Sequence, residues 1–292
     1  MNLSNELSLA LATDVDLKLV YVPAGEFLMG SDRSSDPGAF DAELPQHKLF
    51  LQADLIGQSP VTVAQFAAFV QATGYRTTAE QIGHGYNLVD GQWSETKGAD
   101  WQSPRGVGSN VEQKGAHPVT LVSWYDAQAF CKWVTDLSHY KIDLASEAEW
   151  EQAARGTDGR IYPWGNNEPT DSLCNFTLNA QDTTAVGQYS PQGDSPAGAK
   201  DMAGNVMEWT RSLWGVDIKS PEFIYPYTER MLERENLQAD ENVRRVVRGG
   251  AWDDDREGVR SAYRIPNPPI SRNNLLGFRV CCQIPPSLSE NI

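Results

Sequence analysis

The chain is poor in cysteine and histidine, with four of each in 292 residues. Four cysteines in a chain this long do not make a disulfide scaffold, so a hydrophobic core must hold the fold, and a cytoplasmic setting is the default expectation. The histidines, His47, His84, His117 and His139, include no pair at metal-ligand spacing, which argues against a histidine-held metal centre. Long apolar runs are missing, so no helix is expected to span a bilayer. The opening stretch MNLSNELSLALATDVDLKLV has neither a basic start nor an unbroken apolar segment, which argues against a signal peptide. Positive charge is scarce as well: 24 Lys and Arg stand against 39 Asp and Glu, a net charge of −15. That balance argues against nucleic acid as the main partner. It fits a protein with a solvated acidic surface, or one that uses carboxylates to hold cations.

What is present is glycine (24), proline (17), tryptophan (9) and tyrosine (10), with 40% of residues hydrophobic. This is enough apolar material for one large, loop-rich domain. Residues 1–16 read as a lead-in or short helix. Lys18–Met29 reads as two short strands around a Pro-Ala-Gly turn, and His47–Leu51 as another strand. Three helices are signalled. The first starts at Thr62, whose pairing with Gln65 has capping-box spacing; Val63, Phe66, Ala67 and Val70 form its apolar face and Gly74 ends it. The second begins near Trp124 and buries Ala127, Phe130, Cys131 and Val134. The third pairs Ser146 with Glu149, buries Trp150 and Ala154, and stops at Gly156. Arg76–Ala116 shows no clear period and reads as an irregular loop. Residues 212–245 read as an insertion with a charged helical piece at Thr228–Leu237, and 285–292 as a tail. Helices early and short irregular strands later predict a single α+β domain over residues 17–284.

The segment Arg244–Cys282 runs RRVVRGGAWDDDREGVRSAYRIPNPPISRNNLLGFRVCC. A hydrophobic strand ending in paired glycines opens it, and a short strand, Gly277–Cys282, closes it. The residues between are too irregular for helix or sheet, and an ordered loop held between strands is a usual place for a site.

The motifs EFLMGS, SPVTVAQFAAFV, HPVTLVSWYDAQAFCKW, LASEAEWEQAARG, YPWGN, DMAGNVMEWT, RVVRGGAWDDD and GFRV stand in the order seen in the formylglycine-generating enzyme (sulfatase-modifying factor) family. The resemblance covers Leu17 to Ile284. It implies an elaborated C-type-lectin-like fold with little regular secondary structure. The family's oxidases carry a cysteine pair after the glycine turn that holds copper, a soft-ligand site suited to Cu(I). Here the position matching the first cysteine is Asp254, the loop is shorter, a second cysteine is missing from it, and Ala251 replaces the family serine. No copper is therefore expected, and the missing pair weighs against oxidase activity. Cys281 and Cys282, adjacent in a strand, point to opposite faces, one thiol buried and one half-exposed. Another branch of the family resembles the ergothioneine-pathway sulfoxide synthases, iron enzymes whose histidines come from an additional helical domain absent from this sequence, so a histidine-held iron site is not expected. His47 and His117 match positions that are structural in the family.

The resemblance implies structural calcium. One site would use the side chains of Asp201 and Glu208 with the carbonyls of Gly204 and Val206. A second would use Asn175 and Asp182 with the carbonyls of Phe176 and Thr184. Carboxylates flanking a tight, glycine-containing turn suit a hard cation.

The C-terminal pattern RGGAW, RSAYR, RNNLLGFR also resembles the variable proteins of diversity-generating retroelements, which display altered residues on this surface. The binding surface so implied comprises Trp252, Asp253, Asp254, Asp255, Tyr263, Ile265, Asn267, Ile270, Ser271, Asn273 and Asn274. Adjacent carboxylates need a cation nearby, which Arg256, Arg260 or Arg264 would supply, while Arg248, Arg279, Trp252 and Phe278 act as framework. The leading expectation is a non-catalytic protein binding a protein or small-molecule ligand at this loop. An oxidase or related biosynthetic enzyme with an altered site is the alternative, and a sensor or scaffold domain with separately encoded partners is a third.

Overall fold

The computed structural model describes residues 6–89, 91–227 and 231–284. The expected tail and the first five residues of the expected lead-in lie outside the described residues.

Residues 6–16 are neither mobile lead-in nor helix. The alternation of Leu7, Leu9 and Leu11 makes a strand, β1 (Glu6–Ala12), which pairs antiparallel with β2 (Val15–Val22). These strands join β5 (Asp54–Gly57), β13 (Val280–Gln283) and β8 (Ile142–Leu144) in a five-stranded sheet of order β1-β2-β5-β13-β8. A second sheet has the order β11-β10-β9-β12, from β9 (Met207–Gly215), β10 (Arg244–Arg248), β11 (Arg264–Asn267) and β12 (Leu276–Phe278). Two hairpins, β3 (Gly25–Met29) with β4 (His47–Leu51) and β6 (His84–Val89) with β7 (Gln92–Lys97), complete the strands. β9 runs on to Gly215, so the segment before β10 begins later than the sequence indicates. Of its expected helical piece, residues 228–230 lie outside the described residues, and the described part is helical over α5 (Met231–Arg234).

The three signalled helices form where the sequence places them, two of them at the expected capping pairs. α1 (Val63–Thr73) is capped by Thr62, α3 (Trp124–Ser138) by Ser123, and α4 (Glu147–Arg155) by Ser146, each with a reciprocal capping box. α1 and α3 cover one face of the five-stranded sheet, packing Phe66, Phe69 and Phe130 on Leu9, Leu19, Val280 and Cys282. α4 covers the other face, setting Trp150 and Ala153 on Val20, Val22, Ile56 and Cys281. Cys281 and Cys282 do point to opposite faces, but both are buried, because each face carries a helix layer.

Regular elements lie in two stretches that the sequence reads as irregular. Residues 76–116 contain a short helix, α2 (Thr78–Ile82), capped by Thr77, and the β6–β7 hairpin. The C-terminal segment contains β11, whose residues Ile265 and Asn267 pair with Val247 and Arg245. β11 tolerates Pro266 because it is an edge strand.

The sheets and α4 are bound together by buried ion pairs. Glu147 of α4 meets Arg264 at 2.8 Å, Glu149 meets Arg211 at 2.6 Å, and Glu151 bridges Arg155 and Arg248. A buried charge without its counter-charge is strongly destabilising, so these pairs fix how the C-terminal strands sit on α4.

Candidate functional site

The turn after β10 needs both of its glycines. Gly249 and Gly250 have φ of +93° and +69°, and a Cβ on Gly250 would lie 2.5 Å from the Gly258 carbonyl oxygen. The chain then places Ala251 and Trp252 inward, against Leu275, Leu88 and Met207. The Trp252 indole N–H donates to the Asn274 carbonyl at 3.4 Å. The carbonyls of Trp252 and Asp254 accept from the Leu178 and Thr177 amides, both at 2.8 Å, which ties the loop to residues 177–178.

The three aspartates do not act as one cluster. Asp254 folds back, and its Oδ2 accepts from the Ala251 amide at 2.8 Å. Burial, aided by the charge of Asp253, pushes its carboxyl up to about 7 against that hydrogen bond. Asp253 Oδ1 is buried without a hydrogen-bond partner, and burial raises this carboxyl too. Asp255 is exposed and closes an Asx turn, accepting from the Glu257 and Gly258 amides. The arginines expected to neutralise them are engaged elsewhere: Arg260 with Glu43 and Asp36, Arg264 with Glu147, Arg256 with Glu257.

Beside Trp252 a cleft of about 870 Å³ opens between the β6–β7 hairpin, the 101–120 segment and the 178–183 turn. Leu88, Val111 and Leu178 supply apolar wall. Two buried polar groups on this wall have no hydrogen-bond partner, the Trp101 indole N–H (residue 3% exposed) and Asn87 Oδ1 (residue 4% exposed). Since nearly all buried polar atoms are paired, these two point to a bound group. The charged residues of the cleft are Arg105 and Lys114, which both contact Asp182 Oδ2, at 2.8 and 2.7 Å. Burial works to raise the Asp182 carboxyl, but Lys114 and Arg105 overcome it and hold it below the usual range. His117 bonds Thr183 Oγ1 at 3.0 Å, and burial followed by the charge of Lys114 depresses its pKa. Among the described residues, two cations stand against one carboxylate in the cleft, on an acidic protein. His47, by contrast, is structural: Nδ1 donates to the Pro45 carbonyl and Nε2 accepts from the Tyr227 amide.

Of the expected binding residues, only Trp252 and Asn274 line this cleft. Asn274 Oδ1 also accepts from the Leu88 amide at 3.0 Å, and Asn273 Oδ1 from the Leu275 amide at 2.9 Å, so both asparagines hold the hairpin and the turn in place. Tyr263 packs on Phe40, with ring centroids 5.7 Å apart. Ile265 leans on the main core. Asn267 lies in β11, Ser271 closes a turn onto Pro268, and Ile270 is exposed. The hairpin, Trp101, Lys114 and Asp182 are the parts of the cleft that sequence reasoning misses as a binding wall. The Asp90-Gly91 dipeptide between alternating residues is the signal that could have found the hairpin.

The metals implied by the resemblance can be tested on these residues. A copper pair does not fit. Asp254 occupies the first position, and Cys131, Cys174, Cys281 and Cys282 are all buried, with burial raising every thiol. The first calcium group fits poorly. Both oxygens of Glu208 are taken by Arg279, at 2.6 and 2.7 Å, and Oε2 also accepts from Trp150. The Gly204 carbonyl accepts from the Val206 amide, and Asp201, bonded to the Gly187 amide, is raised to about 6 by burial. The second group fits better, because Asn175 Oδ1 is buried without a partner, as is Thr184 Oγ1. Asp182 Oδ1 there bonds only its neighbour Thr183, and the Phe176 and Thr184 carbonyls each accept one N–H.

Residues 12–284 match the model of the sulfatase-modifying factor enzyme 1-like domain. The formylglycine-generating enzyme of Thermomonospora curvata is 34% identical, over 89% of this chain and 92% of that protein. The inactive Cα-formylglycine-generating enzyme 2 of Bos taurus is 32% identical, over 93% and 90%. Among solved structures, Treponema denticola variable protein 1 superposes with a TM-score of 0.68 at 20% identity, covering 96% of this chain and all of that one, a likeness of fold. No helix among the described residues is long and apolar enough to cross a membrane. The match runs through both sheets and the C-terminal loop alike, and the chain belongs to the formylglycine-generating enzyme family.

Proposed function

We propose that this chain is a non-catalytic member of its family that binds a ligand in the cleft beside Trp252. The observation that carries the reading is the pair of unpartnered buried groups on the cleft wall, Trp101 Nε1–H and Asn87 Oδ1. A donor and an acceptor left open in an apolar wall are what a pocket offers a ligand that completes them. The excess of Arg105 and Lys114 over Asp182 favours a ligand carrying a carboxylate, a free organic acid or an acidic peptide group. Asp254, turned onto the Ala251 amide, supports the non-catalytic half, because a hard carboxylate stands where the resemblance places a copper thiolate. A structural calcium at Asn175, Asp182 and the Phe176 and Thr184 carbonyls belongs to the same reading.

The test is nuclear magnetic resonance of indole N–H groups during titration with N-acetyl amino acids and with the matching amides. The Trp101 resonance should shift with the acids and respond less to the amides. An unmoved Trp101 resonance across the panel would defeat the proposal. The second reading is an oxidase, favoured by the 34% identity to a formylglycine-generating enzyme. Oxygen consumption with Cu(I) and a cysteine-containing peptide would establish it in place of the first.

A further inference from the structure

A second constellation lies on the opposite face of the sheet from α1 and α3. Asp54 of β5 shares its face with Ile56, and Ile56 is the cross-strand partner of Cys281. This face is the apolar floor under α4, yet Asp54 is set into it with only 3% exposure, and both of its carboxylate oxygens lack a hydrogen-bond partner. A fully buried carboxyl with nothing to bond is among the costliest arrangements a core can hold. One ligand atom from each of Asp54, Glu149 and Cys281 lies within 4.8 Å of the other two. Glu149 accepts two hydrogen bonds from Arg211, at 2.6 and 2.7 Å, and one from the Ser146 amide at 2.8 Å on Oε2, which leaves a lone pair of Oε1 to face an ion. A cavity of about 170 Å³, lined by Arg211, Glu235, Asp143 and Cys281, adjoins the group.

We propose that Asp54, Glu149 and Cys281 form a binding site for one divalent cation of zinc-like softness. The donor set selects the class. Calcium and magnesium avoid sulfur, whereas zinc takes thiolate and carboxylate together and accepts a water as its fourth ligand. Bond lengths for such a site set the edge between ligand atoms at about 3.5 Å. Asp54, which no hydrogen bond restrains, would have to rotate to shorten its two edges toward that value, from atoms that now lie within 4.8 Å of one another. On binding, the ion takes the place of protons on Asp54 and Cys281, which leave to solvent. Three anionic ligands then face the two charges of the ion and the one on Arg211, which also pairs with Glu235 at 2.9 Å, so binding with release of two protons leaves the charge of the group unchanged. The site shares no residue with the cleft beside Trp252 and stands or falls separately from it.

The test is titration of chelator-treated full-length protein with Co(II), a coloured probe for zinc sites. The expected result is one equivalent bound, with a thiolate-to-cobalt charge-transfer band that Zn(II) abolishes. Cys281→Ser should lose the band, Cys282→Ser should keep it, and Asp54→Asn should weaken Co(II) binding roughly tenfold or more. No stoichiometric band in the wild-type protein would overturn the proposal, as would a band that survives Cys281→Ser. Zn(II) should also raise the melting temperature of the wild-type protein but not that of Asp54→Asn, and equal responses would count against the site.

Discussion

Asp254 accepts a hydrogen bond from the Ala251 amide at 2.8 Å while burial lifts its carboxyl from an ordinary 3.8 to about 7. A carboxyl raised on folding holds its proton in the native state after the unfolded chain has lost it. Stability attributable to this group is therefore greatest below about pH 4 and falls as pH climbs toward 7. Asp254→Asn keeps the acceptor oxygen and removes the charge. It should raise the melting temperature by a few degrees at pH 8 and change it little at pH 4. A lower melting temperature at pH 8 would show that ionised Asp254 stabilises the loop.

Trp101→Phe keeps an aromatic ring but deletes the pyrrole half of the indole together with its unpartnered N–H. Stability should fall modestly in urea denaturation, since the void left beside Phe66 outweighs the gain from removing a buried donor without an acceptor. Affinity for a bound N-acetyl amino acid should fall by about 1–3 kcal/mol, read by calorimetry. Unchanged affinity would place the ligand elsewhere.

Lys114→Met removes one of the two cations on Asp182. Affinity for an anionic ligand should drop, and the remaining affinity should depend less on salt than in the wild-type protein. Measuring the dissociation constant at low and high ionic strength checks this.

Arg248→Met leaves Glu151 with Arg155 alone inside the core. Breaking such a pair should cost about 3–5 kcal/mol in urea denaturation, and Glu151→Gln should cost less when combined with Arg248→Met than alone.

Excess calcium over chelator should raise the melting temperature of the wild-type protein and not that of Asn175→Ala, because the open Asn175 Oδ1 is the atom that favours an ion there. Equal responses would remove calcium from the second group.

The helices were legible because their signals are local. Thr62 with Gln65 and Ser146 with Glu149 mark helix starts within four consecutive residues, and the structure uses both pairs. β1 was less legible because ELSLALA carries alternation in residues that also favour helix. The role of Arg248 was legible only as framework. Its partner Glu151 lies 97 residues away on α4, and no local pattern announces a buried pair. The cleft was hidden for the same reason. Its walls come from separate segments that meet only after folding, and the openness of Trp101 Nε1 and Asn87 Oδ1 is a property of what surrounds them.

β13 lies between β5 and β8, although it is the last strand of the chain. On the ribosome, the five-stranded sheet would stay in two parts until residues 280–283 emerge, and Asn274 of the cleft wall arrives only shortly before them. A chain cut before β13 would lack the strand that joins β5 to β8, so neither part of the sheet could close on the other.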